Sequence, residues 1–136
     1  MLLTARPLTD VQGVNTFRPD TQLSWTAGDT VDLYFQLVDA SLDLSNQGFL
    51  PPGRRYMPAA GATLSCVVEN IDNAKKVTRF ATQPYATDGS IWKLALTSAD
   101  TNITGTPQLR LTLTEGTKVT HGLLKLGLKV WPSSNV

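Results

Sequence analysis

From Val31 to Val38 the chain reads Val-Asp-Leu-Tyr-Phe-Gln-Leu-Val, which places Val31, Leu33, Phe35 and Leu37 on one side of an extended segment and Asp32, Tyr34 and Gln36 on the other. The same period of two recurs at Ala62, Leu64, Cys66 and Val68, at Trp92, Leu94 and Leu96, at Leu109, Leu111 and Leu113, and at Leu124, Leu126, Leu128 and Val130. Each stripe predicts a half-buried strand. Weaker alternation around Trp25 (Gln22 to Thr26) and over Lys76 to Thr82, where Val77, Arg79 and Ala81 oppose Thr78 and Phe80, brings the expected number to about seven.

Turn chemistry falls between these stripes. Asp88-Gly89 is a favoured turn pair, Gly105-Thr106-Pro107 interrupts the pattern, and Glu115-Gly116 divides a hairpin running from Leu109 to Val119. Gly122 and Gly127 lie inside a long final stretch and predict a bulge or a close backbone approach. Only Thr97 to Ile103 resembles a helical turn, with Ser98 or Asp100 available as caps. Alternating strands, short turns and no long helical stripe predict an all-β antiparallel sandwich or jelly roll.

Two regions escape the rhythm. Met1 to Leu23 carries Pro7, Gly13 and Pro19 among polar residues and is expected to be an extended arm, with the sandwich domain occupying 24–136. Asp39 to Gly61 is expected to be one long loop, containing Pro51-Pro52-Gly53-Arg54-Arg55-Tyr56-Met57-Pro58. Long loops inside compact domains are commonly functional. Arginine and tyrosine are enriched at interface hot spots, and proline lowers the ordering cost of a loop, so Arg54, Arg55, Tyr56 and Met57 are the candidate partner-binding residues.

Length and charge narrow the classes. The chain has 136 residues, enough for about one domain with its own core. Twelve Lys and Arg against eleven Asp and Glu leave a net charge of +1, too balanced for the field a nucleic-acid partner needs. The first residues lack the basic-then-apolar order of a secretory leader, and no run of about 18 apolar residues occurs, so synthesis in the cytosol and no membrane partner are expected.

Candidate chemistry is sparse. The single cysteine, Cys66, lies on a predicted inner face, where a thiol is ordinarily inert. The single histidine, His121, sits on the last predicted strand and reads as a surface residue; one histidine is too few for the common zinc sites. The aspartates cluster at turns, as their own hydrogen bonding favours. A calcium loop at Asp39, Asp43 and Asn46 would lack the glycine and terminal glutamate of an EF-hand. The expectation is a non-enzyme with no catalytic residues, metal or cofactor. Trp131-Pro132 closes the last strand, with Trp131 expected to pack structurally.

Leu94-x-Leu96-Thr97-Ser98-x-Asp100-Thr101, Gly105, Leu109-x-Leu111-x-Leu113-Thr114-Glu115-Gly116 and Gly122-x-Leu124 together resemble the C-terminal half of small Ig-like sandwich domains in tailed-bacteriophage virions. They are similar to the N-terminal domains of upper-baseplate and fibre-attachment proteins. Gly28-Asp29-Thr30-Val31-Asp32-Leu33-Tyr34-Phe35 resembles the opening of those domains, and the resemblance extends from about Asp29 to Val130. It implies an Ig-like sandwich and a virion location. It further implies a structural tail or baseplate subunit that binds other virion proteins, copies of itself included, through arm and loop. The Pro-rich excursion and the lack of a large domain after Val130 set this chain apart and point to a small connector or accessory subunit. Two alternatives stand beside this reading: a capsid decoration protein, and a carbohydrate-binding module using aromatics such as Trp25, Tyr34, Tyr56, Tyr85 and Trp92.

Overall fold

The structure is a computed structural model that describes residues 3–10, 17–19, 23–39, 55–70, 75–83, 89–103 and 105–132. Among them the chain forms β1 (Leu3–Asp10), β2 (Phe17–Pro19), β3 (Ser24–Thr26), β4 (Val31–Asp39), β5 (Thr63–Asn70), β6 (Lys75–Ala81) and β7 (Ile91–Leu96). A single-turn helix α1 (Ser98–Thr101) follows, then β8 (Gln108–Glu115), β9 (Lys118–Gly127) and β10 (Lys129–Trp131).

The strands form one sheet in the order β2-β1-β4-β7 and another in the order β6-β5-β8-β9, with β3 and β10 paired in parallel. The chain changes sheet between β4 and β5, between β6 and β7, and again between β7 and β8. Two antiparallel four-stranded sheets that exchange the chain in this way and share one core make a β-sandwich. The all-β antiparallel sandwich that the alternation predicts is therefore the fold.

The predicted inner stripes meet in one core. Phe35 and Leu37 of β4, Leu64 of β5, Leu94 of β7 and Leu109, Leu111 and Leu113 of β8 are fully buried within a single cluster. Each such side chain contributes about 1.5–3 kcal/mol relative to an exposed one. The opposite face of β4 is buried as well at two positions. Gln36 and Val38 are buried, and Gln36 Nε2 donates to Ser90 Oγ at 3.1 Å.

The expected N-terminal arm is corrected over Leu3–Asp10, which is a strand of the sandwich. β1 runs antiparallel to β4 from Leu3↔Asp39 to Leu8↔Tyr34, and Leu3, Ala5 and Leu23 belong to the core. Pro7 is compatible with this strand because, among the described residues, β2 pairs with Leu8 to Asp10 and leaves Pro7 paired on the β4 side alone. The domain thus begins well before residue 24. Strands β1, β2 and β10 bring the number among the described residues to ten, against about seven expected.

The bulge predicted near Gly122 is present. Register passes from Leu111↔Leu124 to Leu113↔Thr120, so Thr112 alone faces His121-Gly122-Leu123, and Gly122 adopts φ +70°. The extra residues add Leu123 to the inward side without displacing the predicted stripe, since Leu124 and Leu126 pair with core Leu111 and Leu109 and, with Val130, pack against the core. Leu123 and Leu128 are buried, whereas Leu124, Leu126 and Val130 are only partly so. In the helical turn the cap is Thr97 rather than Ser98, with Asp100 completing a capping box.

Candidate partner-binding surface

The returning end of the long excursion is tied down by both sheets. Arg55 bridges antiparallel to Val38, and the Tyr56 N–H donates to the Leu37 carbonyl at 2.9 Å. The Tyr56 hydroxyl then reaches Glu115, at the end of β8, donating to its carboxylate with oxygen separations of 2.7 and 2.9 Å. The Ala59 N–H donates to the same carboxylate at 3.2 Å, and Ala62 N–H to Ala59 O closes a turn in which Gly61 holds φ +83°. Residues 55–62 therefore form a strap between β4 and the β8–β9 hairpin.

Of the candidate quartet, Arg54 lies outside the described residues. Arg55 is exposed, Met57 is 53% exposed, and Tyr56 is turned into the fold, where it packs against the core. Tyr56 is thus a support that fixes its neighbours and not itself a free contact. Met57 rests against Gly89, where an added Cβ would stand 3.3 Å from Met57 Cε, and the Gln83 side chain donates to Gly89 O at 2.7 Å. Glu115 carries no local signal for its role, since its partner is 59 residues away.

The hydrogen bond to Glu115, then burial, then the charge of Glu115 raise the Tyr56 pKa above its ordinary 10.0. A raised folded value means the stabilisation is complete below about pH 10 and fades as pH rises through that value. Tyr56→Phe is expected to cost about 1–2 kcal/mol at neutral pH, toward the low end for a charged acceptor because the ring is only half-buried. Chemical denaturation of both proteins at pH 7 and above pH 10 checks this, with the difference narrowing at the alkaline end.

Of the remaining candidates, Cys66, Trp25 and Trp92 are fixed by packing. Cys66 is buried, and burial pushes its thiol up to about 12, which withholds the thiolate from nucleophilic chemistry. His121 is exposed on β9, with Nδ1 3.4 Å from Thr112 Oγ1. Trp25 and Trp92 are buried, and Trp25 Nε1 donates to Thr101 O at 3.0 Å, so neither forms an exposed stacking platform. Tyr85 lies outside the described residues, as do Asp43 and Asn46 of the calcium trio. Trp131 departs from the packing expected of it: it is half-exposed, carries Lys129 Nζ 4.1 Å from its ring centroid, and lines a cavity of about 90 Å³ with Ala27, Gly105 and Val130. Among the described residues no helix is long and apolar enough to cross a membrane.

No protein-family model matches the chain, and no curated protein matches it.

Proposed function

We propose that the chain is a non-enzymatic structural subunit of a tailed-phage virion, acting in the tail or baseplate by binding neighbouring virion proteins. The resemblance of its strand and turn motifs to small virion sandwich domains supplies the class. The observation that carries the binding role is the strap, in which Tyr56 and Glu115 hold Arg55 and Met57 at the end of a rigid sandwich. A loop end ordered before contact loses little conformational entropy on docking, and an exposed methionine beside an arginine suits a protein interface. Over Leu3–Asp10 the N-terminal segment is a strand of the sandwich and not a loose arm, so the strap carries the proposed contact.

Arg55→Ala combined with Met57→Glu tests the reading. Both side chains are exposed, so the isolated domain is expected to keep its melting temperature within a few degrees. Incorporation into particles, read by quantitative blotting of purified virions, is expected to fall at least tenfold. Unchanged incorporation, or localisation of the subunit on the head by electron microscopy, would overturn the assignment.

A further inference from the structure

The outer face of the β6-β5-β8-β9 sheet is divided by charge. Strand register places Phe80, Ser65 and Thr112 in one rank across the sheet and Thr63, Thr114 and Val119 in the next, and none of these six is charged or buried. Phe80 is 66% exposed. The following ranks carry Lys76, Arg110 and Lys125 with a single anion, Glu69, which pairs with Arg110 at 3.2 Å. Half of the face thus carries no Lys, Arg, Asp or Glu among these positions, is hydroxyl-rich with His121 beside Thr112, and is flanked by exposed apolar groups. The other half holds three cations and one anion.

We infer that this face is a second docking surface, and that its partner is a different protein whose contacting surface is uncharged at the centre and acidic along one margin. Interfaces deplete charge at their core and keep it at the rim, which assigns the neutral ranks to the centre of the contact and the cationic ranks to one margin of it. A second copy fits poorly. Face-to-face pairing about a two-fold axis sets the cationic ranks against either the neutral ranks or the partner's own cations, and the only anion among the described residues of this face is already engaged. An acidic margin would instead be attracted to Lys76 and Lys125. Four strands about 4.8 Å apart and some seven residues long give a face of roughly 400 Å², about half of the ~800 Å² per partner in a stable complex. One contact alone is therefore weak, and its strength comes from repetition or from a second contact.

A weak contact is best captured covalently. A benzophenone amino acid at Thr112 probes the sheet face, one at Met57 probes the strap independently, and one at Thr106 serves as the exposed control in the cells that naturally make the full chain. Photolysis at Thr112 is expected to give an adduct with another protein through an acidic peptide identified by mass spectrometry. That adduct is expected to fall at least fivefold in the Lys76→Glu, Lys125→Glu background, with the fold verified by circular dichroism. If the reversal unfolds the domain, Lys76→Gln with Lys125→Gln reads the same loss. An adduct with a second copy, an adduct insensitive to the charge changes, or no adduct at Thr112 overturns the inference. Since Met57 reports on the strap alone, either surface can fail without the other.

Discussion

A chain lacking residues 1–10 is expected to lose its cooperative thermal transition. The deletion removes β1, whose Leu3 and Ala5 lie in the core and whose Leu8 is also buried. Two leucines at about 1.5–3 kcal/mol each, with the smaller alanine, account for about 4–7 kcal/mol of apolar burial. The backbone bonds of the register from Leu3↔Asp39 to Leu8↔Tyr34 are lost too, at about 0.5–1.5 kcal/mol apiece. Against a typical total stability of about 5–15 kcal/mol, little remains. The deletion would also bare the edge of β4, a strand rich in apolar residues, and invite aggregation. Differential scanning calorimetry decides the matter: a sharp, reversible transition in the truncated chain would mean that β1 is dispensable and that the segment is free to act as an arm.

That deletion also marks where the sequence stops being legible. Strands β4, β5, β7 and β8 announce themselves because each keeps strict alternation over several residues, and their stripes are the core. β1 carries an equivalent stripe at Leu3, Ala5 and Pro7, yet its proline reads as a breaker until the register shows it paired, among the described residues, on the β4 side alone. β9 hides one residue for another reason. Its alternating stripe does pack against the core, but a bulge inserts residues without altering composition, so Leu123 is buried out of step with that stripe. Arg55, Tyr56 and Met57 stand out as a set by residue type, but the division of labour among them depends on Glu115, and no local pattern links positions so far apart. The charge division of the outer sheet face is hidden in the same way, since its ranks are assembled from four strands.

Asp100→Ala is expected to destabilise the domain by about 2–4 kcal/mol at neutral pH. Asp100 is only 4% exposed, and it joins two elements. Arg79 of β6 grips its carboxylate through Nε at 3.0 Å and Nη2 at 2.6 Å, while the Thr97 N–H donates to it at 3.0 Å as part of the capping box. Loss of the cap costs about 1 kcal/mol, and hydrogen bonds to a charged group about 1.5–3 kcal/mol. The total stays moderate because Arg79 is half-exposed and rehydrates once its partner is gone. Burial pushes the Asp100 carboxyl upward, but the Thr97 N–H, the Arg79 guanidinium and the Thr97 hydroxyl together outweigh it and hold the pKa below 3.8. A lowered folded value places the stabilisation above the unfolded pKa of about 3.9, and it is lost as pH falls through the folded value. The difference between wild type and Asp100→Ala in urea denaturation should therefore shrink as pH drops from 5 toward 2. Arg79→Ala separates charge from shape, since it leaves the carboxylate buried with its Thr97 bonds intact. If the wild-type advantage over Asp100→Ala stayed constant down to pH 2, the contribution of Asp100 would lie in packing and not in its charge.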